Sequence, residues 1–197
     1  MTLGFRLVTL ECPNCGEALA GEAEDVIFYC VACRSGFRIE NDTLLPVTVH
    51  FAALRHQAAE GWLPFWTLPV RVDIRQRDAS GGFLRSLMGG GDGDSVSRLV
   101  VPAFRLPVER AVEAVLRLSR DLDAADERLG EHLVGGNVDV DDARTLARYC
   151  LHAAEARKAD MLKNIDLVVE FGSAGLVGVP YRTAGGRRVD ALLGVPL

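Results

Sequence analysis

Four cysteines stand near the start of the chain in two CxxC pairs, Cys12/Cys15 and Cys30/Cys33, fourteen residues apart. Within each pair the chain can fold back so that both sulfurs face one ion. Two such pairs fill the four corners of the tetrahedron that zinc takes in structural sites. Pro13 and Asn14 suit the tight turn of the first pair, and Gly16 can take the positive φ that follows it. The second pair, CVACRSGF, has Arg34 at that position, with Gly36 only later, which predicts a looser turn. Between the pairs, Val26, Phe28 and Cys30 alternate with Ile27 and Tyr29, and Phe37 and Ile39 alternate beyond them, so both stretches read as strands. Four thiolates close the coordination sphere, which suits a metal that clamps rather than one that catalyses. Its binding energy would substitute for a core too small to hold itself together.

On these knuckles and strands, residues 5 to 46 resemble a zinc ribbon. The resemblance implies a hairpin fold and structural Zn2+ on Cys12, Cys15, Cys30 and Cys33. Zinc ribbons serve in polymerase subunits, ribosomal proteins, chaperone-like factors and assembly proteins, so the resemblance implies no single function. A rubredoxin-like site that holds Fe and transfers one electron has knuckles of the same form, CPxCG among them, and stands as the alternative. In rubredoxins, however, the pairs sit farther apart and aromatic residues cluster at the metal. Here Phe28, Tyr29 and Phe37 are the nearby aromatics.

The net charge of the chain is −5. Residues 1 to 46 carry Glu11, Glu17, Glu22, Glu24, Asp25, Glu40 and Asp42 against three arginines, and a four-thiolate zinc site adds a formal −2. Such a surface repels phosphates, which argues against nucleic acid as the partner. A nucleic-acid-associated role would have to rest on Arg71, Arg75 and Arg77, outside the ribbon. No apolar run approaches the ~18 residues of a membrane span, so no transmembrane segment is expected. The stretch MTLGFRLVTL reads as a starting strand rather than a secretory signal. The expected location is cytoplasmic, where paired cysteines stay reduced and available to metal.

The rest of the chain predicts an α+β fold, with the zinc ribbon over 1–46 and an antiparallel sheet of about five strands plus a helical hairpin over 47–197. A short helix is expected in AALRHQAAEG, and a strand in residues 70–77, pairing antiparallel with residues 98–104. Between those strands runs a long glycine-rich connection, about 79–97, with no P-loop or calcium-loop signature. Inside it Phe83, Leu84, Leu87 and Met88 fall at helical spacing, a candidate partner-binding face. LPFWTLPV and VPAFRLPV echo one another, and their prolines suggest blunted strand ends and edges. Trp62, Phe65, Trp66 and Phe104 are expected to form one aromatic cluster.

The helical hairpin is expected over about 107–163. Pro107 would start the first helix, with Val108, Ala111, Val112, Val115, Leu118, Leu122 and Leu129 inward. Asp139 starts the second, with Leu146, Cys150, Ala153, Ala154 and Leu162 inward, and the LGEHLVGGN stretch reads as the turn between them. Two strands separated by a Gly172-Ser173 turn follow, then AGGRR as another turn and a last strand. His50 and His56, six apart, suit neither a shared helix face nor a metal pair and read as surface or packing residues, and His132 and His152 have no obvious partner in the sequence. Cys150 reads as a buried apolar residue.

No nucleotide fingerprint, HExxH motif or convincing Ser-His-Asp set is present, so no enzyme activity and no small-molecule substrate are expected. The expected role is a non-enzymatic adaptor or assembly subunit. Its ribbon would be a rigid arm, and its partner another protein or a second copy of the chain.

Overall fold

The computed structural model describes residues 10–53, 59–76, 97–122, 124–125, 132–156 and 166–197. The strand expected at the N-terminus, but for Leu10, and the middle of the helix expected in AALRHQAAEG, residues 54–58, lie outside these residues, and the ends of the latter, Ala52 and Gly61, belong to strands. The glycine-rich connection with Phe83, Leu84, Leu87 and Met88, and Leu129 and Leu162 of the hairpin, also lie outside the described residues. Among the described residues no helix is long and apolar enough to cross a membrane.

Two sheets and two helices make up the described fold. Strands β1 (Ile27–Cys30), β2 (Ser35–Glu40) and β3 (Thr43–Val47) form a three-stranded antiparallel sheet over the cysteine-containing segment. Asn41 and Asp42, both at positive φ, make the two-residue turn between β2 and β3. Pro46 sits on the outer strand, where its missing N–H blunts an open edge.

The second sheet has seven strands: β4 (Val49–Ala52), β5 (Gly61–Gln76), β6 (Ser97–Pro102), β7 (Ala124–Ala125), β8 (Asp166–Phe171), β9 (Gly175–Ala184) and β10 (Arg187–Asp190). Their order is β6-β5-β9-β4-β7, with β10 beside β9 and β8 beside β5. The sheet is mixed rather than purely antiparallel, because β4 runs parallel to β9, pairing Val49 with Leu176. Sequence periodicity carries no information on strand direction.

The long β5 explains why the strands number more than five. Residues 61–67 pair with β9, 65–70 with β6 on the other side, and 70–76 with β8. The pairing expected between 70–77 and 98–104 is therefore shifted: β6 meets the first half of β5 and β8 meets the second. Strands β8 and β9 lie end to end along the same side of β5, so Gly172–Ala174 is a bulge rather than a turn. Pro69 is the physical reason. It faces the junction of β8 and β9, its carbonyl accepting from the Gly172 N–H (2.9 Å), and it has no N–H to offer a continuous ladder. Pro64 faces the opposite side just beyond the end of β6, where its carbonyl accepts from Ala103. Both prolines thus lie inside a central strand, at points where its partner stops.

Alternation along β5 divides the expected aromatic cluster between two faces. Trp62 and Trp66 enter one core with Phe51, Leu68, Val70 and Leu99, whereas Phe65 packs edge-on against Phe104 in the other with Leu63, Val177 and Val179. Helix α1 (Val108–Asp121) lies along β6 and feeds both cores, with Val112 and Val115 in the first and Ala114 and Leu118 in the second. Pro107 is its N-cap rather than its first residue, and Val108 is 49% exposed instead of inward. The Ser119 hydroxyl accepts the Val100 N–H and so covers the edge of β6. Helix α2 (Val140–Ala156) covers the first core with Ala143, Ala147, Cys150, Leu151 and Ala154. Asp139 caps it through Oδ1, which accepts from the N–H groups of Asp141 and Asp142.

The α1–α2 connection is not a simple hairpin turn. It contains β7 and a stretch that bridges to Trp62 and Ile27.

At the C-terminal end Asp190 is fully buried. Its carboxylate accepts from the N–H groups of Leu192 (3.0 Å), Leu193 (2.6 Å) and Val195 (2.5 Å), folding that turn over the second core. Arg117 of α1 donates to the Leu193 carbonyl and ties the turn to the helix. Replacing Asp190 by alanine strands one buried and two half-buried donors and should lower stability by about 3 kcal/mol in urea denaturation. Asn, which keeps one acceptor oxygen, should recover part of that loss.

Candidate metal centre

The first knuckle is shaped by its backbone. Gly16 donates to the Cys12 carbonyl, Cys12 to that of Glu17, and Leu19 to that of Leu10. Gly16 stands at φ +75°. In the second knuckle Arg34 takes the corresponding left-handed conformation, φ +56°, at the position after Cys33. That turn is accordingly not looser than the first. It adopts the same backbone at a steric cost of about 1–2 kcal/mol for a residue with a Cβ. The Asn14 amide donates to the Ser35 hydroxyl (3.0 Å) and links the two knuckles.

This arrangement brings the four sulfurs of Cys12, Cys15, Cys30 and Cys33 within 4.8 Å of one another. The close contacts run across the knuckles: 3.4 Å from Cys12 to Cys33 and 3.5 Å from Cys15 to Cys30. Tetrahedral thiolates bound to zinc at ~2.3 Å stand about 3.8 Å apart, so the cluster needs little adjustment to hold an ion. Among the described residues no other group of three or more His, Cys, Asp or Glu side chains converges in this way.

The chemistry of the donor set fits a cation. Burial raises the Cys12 thiol above its ordinary value, against backbone hydrogen bonds from Asn14 and Cys15. At Cys15 a backbone hydrogen bond with Glu17 favours the thiolate. Desolvation and the shared hydrogen bonds of Cys30, Cys12 and Cys33 outweigh it and push the thiol up to about 12. Cys33 is lowered to about 7 by the Ser35 side chain, with burial opposing and the other three sulfurs assisting. One sulfur ionises at the expense of its neighbours, and a cation among the four would let them ionise together.

A small core lies beneath the sulfurs: Leu19, Phe28 and Phe37, with Leu10, Ile39 and Leu44 at its margin. Phe28 and Phe37 are cross-strand partners. Tyr29 points the other way and packs edge-on against Phe51 at 5.4 Å, and Phe51 in turn against Trp62 at 5.2 Å. Only two of the three aromatics near in sequence therefore reach the cysteine cluster.

All four residues of β1 are buried, because Phe28 and Cys30 face the cysteine core while Ile27 and Tyr29 face the core of the large sheet. The ribbon is thus fixed against the α+β layer through β1. The seam is the LVGG stretch, which the sequence alone presents as a turn. The Gly136 carbonyl accepts from Val26 (2.7 Å) and Ile27 (3.1 Å), Val134 donates to Trp62, and Val138 donates to Ala103. A Cβ on Gly136 would stand 2.6 Å from the Ala103 carbonyl oxygen, and one on Gly135 would collide with the Asp25 carboxylate. The adjacent glycines were the one sequence signal of this close approach.

Of the other residues singled out in the sequence, Arg71 is exposed on β5, whereas the side chains of Arg75 and Arg77 lie outside the description. His132 and His152 are exposed, His50 is half-buried on β4, and Cys150 is fully buried in α2 on the face opposite His152. Neither Cys150 nor any of these three histidines belongs to the cysteine cluster. Compared with protein-family models, curated proteins and solved structures, the chain has no match.

Two outcomes follow from the shared strand. Gly136→Ala should cost about 2 kcal/mol by overpacking the seam, measured by chemical denaturation. Stripping the metal with a strong chelator should lower the melting temperature of the entire chain in one calorimetric transition. Separate melting of a ribbon and an unchanged α+β layer would contradict the coupling.

Proposed function

We propose that the protein is a non-enzymatic, zinc-binding adaptor or assembly subunit. The observation that supports this reading is the closed four-sulfur cluster, whose donors fill a tetrahedron and leave no coordination position for a substrate. Zinc on Cys12, Cys15, Cys30 and Cys33 would fix β1, and with it the seam between the two sheets. The partner is another protein or a second copy of the chain, received by the apolar residues Phe83, Leu84, Leu87 and Met88 within their glycine-rich surroundings. The acidic ribbon surface, with Glu11, Glu17, Glu22 and Glu24 exposed, disfavours nucleic acid as that partner.

Metal analysis of protein purified from iron- and zinc-replete cells separates the two metal readings. One zinc per chain in a colourless preparation is expected. A red protein with iron and a reversible redox couple would instead support electron transfer. Deleting residues 80–95 should preserve zinc content and the far-UV spectrum while abolishing co-purification of a partner or changing the oligomeric mass. If neither changes, the docking role of that segment is wrong.

A further inference from the structure

We propose that Cys15 is an oxidative modification site: its sulfur attacks hydrogen peroxide, Cys30 resolves the product, and the Cys15–Cys30 disulfide releases the metal. The inference goes beyond the adaptor reading and depends on it only for the presence of zinc in the cluster.

The geometry divides the four sulfurs unevenly. Cys12 and Cys30 are each 2% exposed and Cys33 is half-buried, whereas Cys15 is exposed among Pro13, Asn14, Gly16 and Glu17, which are exposed as well. A metal-bound cysteine is a thiolate, the form that attacks an oxidant, and accessibility then decides which one reacts. Cys33, the next most accessible, is half-buried between Ala32 and Arg34, which are exposed. Exposed carboxylates of Glu11 and Glu17 repel anionic oxidants but not neutral hydrogen peroxide.

The resolving partner is set by distance. The sulfur in close contact with Cys15 belongs to Cys30, 3.5 Å away across the knuckles. A disulfide of ~2.05 Å requires an approach of about 1.5 Å, within reach of the turn that Gly16 permits. In the first step the Cys15 thiolate displaces hydroxide from the peroxide O–O bond and becomes a sulfenic acid. In the second, the Cys30 thiolate attacks that sulfur, forms the S–S bond and expels a second hydroxide. Two protons convert the hydroxides to water. The two sulfurs have supplied the two electrons that reduce one peroxide. The ion keeps only Cys12 and Cys33 and is lost to a competing chelator.

The test uses the full chain reconstituted with zinc to a measured stoichiometry, so that its failure is separate from a failure of the metal reading. Hydrogen peroxide is added, zinc release is followed with a chromogenic chelator, and at partial release free thiols are alkylated and disulfides mapped by mass spectrometry. The expected first product is Cys15–Cys30, with one peroxide consumed per zinc released. Cys15→His, which keeps a ligand nitrogen at that corner, should slow release by about ten-fold, while Cys33→His should not. Mapping on the natural chain remains decisive if the histidine variant fails to hold zinc. A first disulfide within a pair, Cys12–Cys15 or Cys30–Cys33, overturns the proposal, as does a Cys12–Cys33 product or a zinc-loaded Cys15→His chain released as fast as the natural one.

Discussion

Strand β1 is the constraint on which the rest of the described structure leans. Its four residues serve two cores at once, Phe28 and Cys30 for the cysteine cluster, Ile27 and Tyr29 for the large sheet. A strand of this length could not hold both by hydrophobic burial alone. The edge-on contacts from Tyr29 through Phe51 to Trp62 add about 0.5–1.5 kcal/mol each and run from the ribbon to the centre of β5. A metal ion at the knuckles would therefore stabilise the same few residues that the aromatic packing holds from the far side. Either one lost weakens the other, since the backbone between them is shared.

The large sheet follows from a second constraint, the two prolines of β5. A sixteen-residue strand would ordinarily seek a continuous ladder on each side. Pro64 and Pro69 forbid that at one point on each side, and the sheet answers by ending β6 near the first and breaking β8 from β9 at the second. Local chemistry hostile to a central strand thus selects that strand's neighbours. The covering elements then complete the edges and faces: α1 along β6, α2 over the tryptophan side, and the Asp190 turn over the phenylalanine side.

Much of this was legible in the residues, and the failures have a common cause. The CxxC spacing placed all four sulfurs at one point. Apolar alternation found β1 and the second half of β5, but not residues 61–69. The Asp139 cap and the buried face of α2 were readable from helical spacing, though Ala143, Ala147 and Leu151 escaped notice beside larger residues. What sequence spacing could not supply was anything set by a distant partner. Arg34 adopts the glycine-like turn because the sulfur cluster demands it. The parallel direction of β4, the division of the aromatic residues between faces and the seam at Gly135–Gly136 each depend on contacts between segments far apart in the chain. The ribbon looks like an independent arm only while the second burial surface of β1 is unseen.

The parallel pairing of β4 with β9 has a consequence for how the chain reaches this state. Val49 waits for Leu176, more than half the chain length away, while β1, β2 and β3 close locally within residues 27–47. Non-local pairings of this kind are slow, because loop-closure entropy is spent before any contact forms. The knuckles, by contrast, can take up metal as soon as Cys33 has been synthesised. An ion bound there would make this local part the template against which Phe51, Trp62 and the glycine seam dock, so metal supply during synthesis would bear on the order of assembly as well as on the strength of the finished fold.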